Sequence, residues 1–273
     1  MIETNNVNNS NITNDRIWDI TESELDIPIW RYMDFSKYMD ILENSCLFFS
    51  TINGFEDRLE GFNNALIEGI SYKLDTSGGT ARLISTKEQL THPVEIDNAV
   101  RIKTFLKVTE ANYKASIGVS CWRIDPFESH SMWKSYVKSN EGVAIKSSVR
   151  LIKDSVQLKH LQNLKAIKIQ YTDYDTEVID MIKSVGVSVY HKSKYFEYEK
   201  ELRFIFNEII SENPYNCKSM SEPGINIPIN TNKFINEVIV SPYAPIWFFS
   251  LVNKISRHYG LSVPVTMSGI QLR

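Results

Sequence analysis

The chain has 273 residues, of which 42% are hydrophobic and 23% charged, and its formal net charge is −3 at pH 7. These values predict a globular protein with a sizeable core. They exclude an overall positive field that would attract nucleic acid, but they leave a local basic groove as an alternative. No apolar run approaches the length of about 18 residues that a membrane span needs.

The short strands and helices predicted in chain order favour an α+β domain over a doubly wound sheet. Strands are predicted at 27–32, 47–50, 115–122, 142–146, 164–171, 201–206, 234–240 and 261–265. Helices are predicted at 35–42, 97–109, 129–137, 175–185 and 246–259. A charged turn is predicted at 55–61 and a loop at 210–226.

The polar segments define the domain boundaries. Residues 1–25 begin with an Asn-rich stretch and are predicted to be a disordered leader. Residues 26–273 are predicted to form a single α+β domain. A polar, loosely packed insertion is expected near residues 73–95, where Ser77-Gly78-Gly79-Thr80 interrupts the apolar pattern.

The cysteines indicate the cellular compartment. Cys46, Cys121 and Cys217 are far apart and form no Cys-x-x-Cys pair. This spacing disfavours a disulfide scaffold and a zinc site, so no metal site of that kind is predicted. A reducing cytoplasm is the compartment that such cysteines fit. Cys121 and His130 are the one Cys–His combination close enough in sequence to raise a nucleophilic site.

The segment 197–206 carries the strongest chemical signal. In a strand, Glu197, Glu199, Glu201 and Arg203 would share one face, and apolar side chains would occupy the other. Paired carboxylates beside a cation suit general acid–base catalysis or the stabilisation of a developing positive charge. The alternatives are a surface ladder of salt bridges or a set of oxygen ligands for a metal ion.

Three further groups of residues are candidates for a site. Arg31 lies between Trp30 and Tyr32, which suits a phosphate or a flat ring, but its stem can equally cover core aromatics. Other aromatic residues can line a pocket or pack in the core, namely Trp122, Trp133 and Tyr136. Glu237 lies at the start of an apolar strand. It is either a catalytic carboxylate or simply the residue with which that strand begins.

The order of these motifs resembles a widespread bacterial family of unknown function. The matching segments run in order from Trp30 to the C-terminus: Trp30-Arg31-Tyr32, Phe49-Ser50, 55–60, Ser120-Cys121-Trp122, Met132-Trp133, Tyr136, 142–145, 198–203, 235–240 and 265–270. The family is characterised by Ser-Cys-Trp, Met-Trp and Tyr-Glu-x-Glu-x-Arg. At the turn 55–60 the chain lacks the family's Asn and Pro.

A second, more distant resemblance concerns ADP-ribosyltransferase domains. The opening Trp30-Arg31 followed by a helix is similar to theirs, and either Glu237 or the Glu199-x-Glu201 pair is similar to their catalytic segment. The resemblance implies a mixed sheet with peripheral helices, NAD as the substrate, and Glu199, Glu201 or Glu237 as the catalytic carboxylate. The residues that it implies for NAD binding are Arg31, Tyr32, Ser50, Trp122, Trp133, Tyr136 and Arg203.

This second resemblance therefore implies an enzyme that transfers ADP-ribose from NAD or hydrolyses NAD. The resemblance implies a macromolecular acceptor, a role as a toxin or an anti-phage effector, and a phage protein or antitoxin as partner. Two rival hypotheses remain, a metal-dependent nuclease or hydrolase that uses Glu197, Glu199 and Glu201, and a ligand- or protein-binding module without catalysis. The chain has no Gly-rich phosphate loop, no His-Glu-x-x-His and no Gly-x-Ser-x-Gly, which argues against P-loop NTPases, zincins and α/β-hydrolases.

Overall fold

The computed structural model describes residues 20–52, 71–75, 82–86, 93–173, 187–207, 219–220 and 223–271. Its strands are β1 (Pro28–Asp34), β2 (Cys46–Thr51), β3 (Ser71–Asp75), β4 (Arg82–Thr86), β5 (Ile117–Ile124), β6 (Gly142–Ser148), β7 (Leu164–Lys168), β8 (Gln170–Thr172), β9 (His191–Ser193), β10 (Glu201–Asn207), β11 (Gly224–Pro228), β12 (Glu237–Val240) and β13 (Val265–Met267). Its α-helices are α1 (Phe35–Asn44), α2 (Pro93–Ala115), α3 (His130–Tyr136), α4 (Val149–Ser155), α5 (Leu158–Leu161), α6 (Val187–Tyr190), α7 (Thr231–Phe234) and α8 (Ile246–His258). Two 3₁₀ helices span Glu22–Glu24 and Lys194–Glu199.

One nine-stranded sheet organises the described part of the chain, which confirms the prediction of a mixed α+β fold. Its spatial order is β7-β10-β5-β1-β6-β12-β13. Strand β2 pairs with β5 along the same edge as β1 does, and β11 pairs with the other edge of β2. The pairs are antiparallel except for β12 with β13. Two small sheets, β3–β4 and β8–β9, lie apart from it. In the described residues, no helix is long and apolar enough to cross a membrane.

The large sheet is split along one edge of β5. Arg123 pairs with Glu201 of β10 on one side and with Trp30 of β1 on the other. Val119, at the other end of β5, pairs with Ile205 of β10 and with Ser50 of β2. Strands β1 and β2 therefore occupy the same edge of β5 and diverge between these two points, which leaves the backbone edge around residues 120–122 without a partner among the described strands.

The two faces of the sheet have different contents. Helices α1, α4 and α8 cover one face, which we call the helical face, and close a large apolar core over it. Members of that core include Tyr38, Phe49, Trp122, Ile152, Phe204, Phe234 and Phe248. The other face, called here the charged face, carries two smaller apolar clusters, one around Trp30, Tyr32 and Trp133 and one around Ile117, Val119 and Ile205. Buried charged side chains also lie on this face.

Most of the predicted elements are confirmed in type, although some bounds differ. The strands predicted at 27–32, 47–50, 115–122, 142–146 and 201–206 correspond to β1, β2, β5, β6 and β10. The helices predicted at 35–42, 129–137 and 246–259 correspond to α1, α3 and α8, and the segment 97–109 lies inside the longer α2. The predicted helix at 175–185 and the turn at 55–61 lie outside the described residues.

Two predictions about boundaries are wrong. The predicted leader reaches residue 25, but Ile20 and Leu25 are buried in the main core and Arg150 binds Glu22 and Asp26. The described residues of the predicted insertion near 73–95 include β4 and the start of α2, and its loose packing stays a prediction. The last strand begins at Val265, not at residue 261, and the preceding Pro264 has no N–H to donate.

Gly224 fixes the pairing of β11 with β2. It has φ +153, and a Cβ there would lie 2.1 Å from the carbonyl oxygen of Phe49. We expect Gly224→Ala to lower the free energy of unfolding by more than the roughly 1–2 kcal/mol of an unfavourable positive φ. The control is Gly260→Ala, where φ is +76 but the space is open. Equal losses in urea denaturation of the two variants would show that the contact with Phe49 is unimportant.

Candidate functional site

Four charged side chains meet on the charged face and form what we call the buried charge cluster: Lys192, Glu199, Glu201 and Arg203. Nζ of Lys192 lies 2.7 Å from Oε2 of Glu199 and 3.1 Å from Oε2 of Glu201. Nε of Arg203 lies 2.7 Å from Oε1 of Glu201, and Nη2 lies 3.3 Å from Oε2. None of the four residues is more than 5% exposed. Burial of this kind is tolerated only when charges are paired, as they are here.

Three short elements bring these side chains together. Lys192 comes from β9, Glu199 ends the 3₁₀ helix, and Glu201 and Arg203 lie two residues apart on β10. Between the 3₁₀ helix and β10, Lys200 adopts a left-handed conformation with φ 44. The predicted strand alternation across residues 197–206 is therefore wrong before Glu201. Glu199 reaches the cluster from a turn, and Glu197 is exposed on the 3₁₀ helix.

Neutral groups also border the cluster. The side chain of Tyr136, at the end of α3, lies beside Glu199, and the thiol of Cys121 bonds to Glu201. Arg203 also donates to the carbonyl of Val189 at 3.1 Å, and the backbone N–H of Glu201 donates to the hydroxyl of Tyr171 at 2.7 Å. The two carboxylates are thus held in fixed positions by groups from several elements.

The environment moves the pKa values of the two carboxylates in opposite directions. Burial raises the pKa of Glu199, and the opposing effect of Lys192 does not restore it. Burial also acts to raise the pKa of Glu201, but Arg203 and then Lys192 outweigh it and lower that pKa to about 2. A pair of carboxyl groups with separated pKa values can take different acid–base roles in one site.

The split in the sheet contains a second cationic group, on the helical face. Nη1 of Arg31 donates to the hydroxyl of Ser120 at 2.8 Å, and the guanidinium lies 5.8 Å from the indole of Trp122. Desolvation lowers the pKa of Arg31. Within the described part of the chain, no carboxylate contacts it. Arg31, Ser50 and Cys121 are each partly exposed, so solvent reaches the split from both sides of β5.

Some predicted site residues are core residues in the structure. Trp122 is buried against Phe204 and Phe234, so its rings support Arg31 and present no free face to a ligand. Trp133 is fully buried and makes an edge-to-face contact with Tyr32 at 4.9 Å between centroids. Tyr136, which is 40% exposed, is the predicted aromatic residue that borders both the charge cluster and solvent.

Glu237 does not belong with the other two candidate carboxylates. Strands β5, β1 and β6 separate its strand, β12, from β10, which corresponds to about 19 Å at the usual strand spacing. Its carboxylate binds Lys146 at 3.3 Å and Thr266 at 2.9 Å. The suggested pairing of Cys121 with His130 is also absent, because His130 bonds to the hydroxyl of Tyr243 and Cys121 to Glu201.

No pattern in the sequence predicts Lys192 as a part of this region, whereas Ser120 and Arg123 flank the predicted site residue Trp122 in Ser120-Cys121-Trp122-Arg123. Arg123 lies opposite Glu201 in the strand register, binds Asp125 at 2.8 Å and donates to the carbonyl of Tyr198. A lysine in a short polar strand is normally exposed, so the burial of Lys192 depends on tertiary contacts that the sequence does not reveal. In the described ranges, no three His, Cys, Asp or Glu side chains are placed as ligands of one metal ion.

Comparisons with known proteins add no family assignment. No protein-family model matches the chain, and no curated protein sequence matches it significantly. The resemblances described from the motifs therefore remain predictions.

The cluster predicts stability losses of different size for substitutions of its two carboxylates. Glu201→Gln removes the buried carboxylate that binds both Arg203 and Lys192, and we expect a loss of about 3–5 kcal/mol in the free energy of unfolding at pH 7. Glu199→Gln should cost only about 1–2 kcal/mol, since the fold already disfavours the ionised form of Glu199. Urea denaturation of both variants measures the difference, and equal losses would contradict it.

The pH dependence follows from the lowered pKa of Glu201. Its stabilising effect is present above the unfolded value of 4.5 and is lost as the pH falls toward about 2. The gap in stability between wild type and Glu201→Gln should therefore narrow below pH 4.5. A gap that stays constant between pH 6 and pH 3 would show that the charge of Glu201 is not the source of the stability.

Proposed function

We propose that this protein cleaves the bond between nicotinamide and ribose in NAD and transfers the ADP-ribose to a macromolecule or to water. The observation that supports this most is the juxtaposition of the split and the buried charge cluster. Arg31 binds Ser120 on one side of β5, and the next residue, Cys121, bonds to Glu201 on the other side. A cation for phosphate and a carboxylate pair for ribose are thus available within one region.

Arg31 is the residue that we assign to the pyrophosphate. A guanidinium binds phosphate oxygens through two parallel hydrogen bonds, and Arg31 has donors beyond the one that Ser120 accepts. The indole of Trp122 and the hydroxyl of Ser120 hold the guanidinium in place. Ser50 lies at the point where β2 rejoins β5, on the opposite side of the split. Arg31 and Ser50 are both partly exposed, as a phosphate site requires.

The two carboxylates take different roles in the proposed reaction. The bond from C1′ of the ribose to the nicotinamide nitrogen breaks, and nicotinamide leaves with the bonding electrons. Positive charge develops on the ribose, and Glu201, ionised because its pKa is about 2, stabilises it. Glu199 has a raised pKa and takes the proton from the hydroxyl group that attacks C1′. Tyr136, beside Glu199 and partly exposed, provides an aromatic surface for a ring of the substrate.

The metal-dependent hydrolase is less well supported. The ammonium group of Lys192 lies between Glu199 and Glu201, where a metal ion bridging those carboxylates would bind. Glu197, the third suggested ligand, is exposed on the 3₁₀ helix. A nuclease based on these three side chains would first have to displace Lys192 from two ion pairs.

A ligand-binding module without turnover is the second candidate. The observation in its favour is that both oxygens of Glu201 already bind Arg203 and one also binds Lys192. Saturable NAD binding without release of nicotinamide would support this candidate over the transferase. The wider biological role that we propose, a cytoplasmic toxin or anti-phage effector with an antitoxin or phage protein as partner, rests only on the resemblance to bacterial proteins of that kind.

The role of Glu199 is tested by turnover of NAD. We expect Glu199→Gln to lower the rate of nicotinamide release at least about 100-fold, the usual contribution of a general base. Glu197→Gln is the matched control, because it removes an exposed carboxylate from the same 3₁₀ helix and should keep the wild-type rate. Mass spectrometry of released nicotinamide, with circular dichroism to verify folding, measures both. A folded Glu199→Gln variant with full activity would refute the assignment.

A further inference from the structure

Lys192 is a buried cation with no assigned role in the proposed reaction. It is 5% exposed and lies on β9, in a two-stranded sheet separate from the large one. Its partner in the strand register is Tyr171, whose hydroxyl accepts the backbone N–H of Glu201. The ring of Phe196 lies 4.8 Å from the ammonium group. The side chain is therefore enclosed by aromatic rings on its way to the carboxylates.

We propose that Lys192 is the positioning residue that holds Glu199 and Glu201 together and favours the ionised form of both carboxylates. This inference rests on the proposed function for its catalytic meaning. One ammonium group binds an oxygen of each carboxylate, at 2.7 and 3.1 Å. The two oxygens are consequently within a few ångströms of each other, a separation at which two ionised carboxylates repel strongly unless a cation lies between them.

The other groups around the pair cannot replace Lys192. Arg203 contacts Glu201 and not Glu199, so it neutralises one carboxylate only. The hydroxyl of Tyr136 and the thiol of Cys121 carry no charge that would offset the repulsion between the two carboxylates. Among the described residues, the titratable and charged groups around the pair are Tyr136, Tyr171, Cys121, Lys192, Arg203 and Arg123, which lies opposite Glu201 in the strand register and binds Asp125. Without the ammonium group, the carboxylates would share a proton, and Glu199 would hold it at a higher pH.

A purely structural lysine would behave differently. A methionine has a similar length and fills the same space, so it preserves the packing against Phe196 while removing the charge. If packing were the whole role of Lys192, the methionine variant would change stability and leave the titration of the carboxylates as it was. The shift in titration is what distinguishes the two roles.

The test uses the full chain with ¹³C-labelled glutamate and follows the side-chain carboxyl signals by NMR as the pH is varied. We expect Lys192→Met to move the titration of Glu199 upward by at least about one pH unit, a tenfold change in proton affinity. Lys194→Met is the control, because it removes a lysine two residues away that binds Asp173 at the surface. Lys192→Gln, which keeps hydrogen bonds but lacks the charge, substitutes if Lys192→Met does not fold.

Turnover of NAD gives the second readout. We expect kcat of Lys192→Met to fall about 100-fold at pH 7, as for a misplaced catalytic group, with a smaller change in KM and with the acid limb of the pH–rate profile shifted upward. Unchanged titration of Glu199 in folded Lys192→Met overturns the inference. If wild type shows no turnover, the proposed function fails, whereas the NMR titration still decides whether Lys192 favours the ionised form of Glu199.

Discussion

The buried ion pair between Glu201 and Arg203 is the interaction on which the charged face depends. Arg203 is fully buried, and without a carboxylate beside it the desolvation of its guanidinium would oppose folding. Glu201 meets this requirement with both oxygens. Because Glu201 is thereby kept ionised, it can also accept Lys192, and Lys192 in turn brings Glu199 into the same site. One structural ion pair thus organises a pair of carboxylates whose pKa values are shifted in opposite directions.

The division of β5 between two neighbouring strands provides the second constraint. A continuous sheet would close the edge of β5 with backbone hydrogen bonds, and Arg31 would then face a sealed core. Because β1 and β2 diverge, the hydroxyl of Ser120 is free to hold the guanidinium and the region stays accessible to solvent. The apolar core of the helical face, which includes Trp122, packs beside the divergence.

The sequence predicts the parts of this site that local patterns determine. Strand alternation places Glu201 and Arg203 on one face, and helical spacing places Trp133 and Tyr136 on α3, where the first packs in the core and the second reaches Glu199. The structure joins four predicted residues in one place: Tyr136, Glu199, Glu201 and Arg203. For Tyr136, Glu201 and Arg203 this agreement arises because each lies in a short element whose periodicity is visible in the sequence, whereas Glu199 reaches the cluster from a 3₁₀ helix that the strand pattern does not predict.

The remaining parts of the site depend on long-range contacts that the sequence does not contain. The position of Lys192 depends on the pairing of β9 with β8, and nothing in His191-Lys192-Ser193 indicates burial. The distance of Glu237 from the cluster depends on the order of strands in the sheet, which an isolated strand pattern leaves open. The placement of Arg31 on the face opposite to Glu201 depends in the same way on the register of β1 against β5 and β6.

Titration calorimetry with NAD tests the central claim most directly, namely that the split and the charge cluster form one site for this dinucleotide. Wild type should bind NAD saturably with one site per chain, and Arg31→Ala, which removes the cation assigned to the pyrophosphate, should bind at least about tenfold more weakly. An absence of binding by the wild-type protein at millimolar NAD, or equal affinities of wild type and a folded Arg31→Ala variant, would contradict the claim.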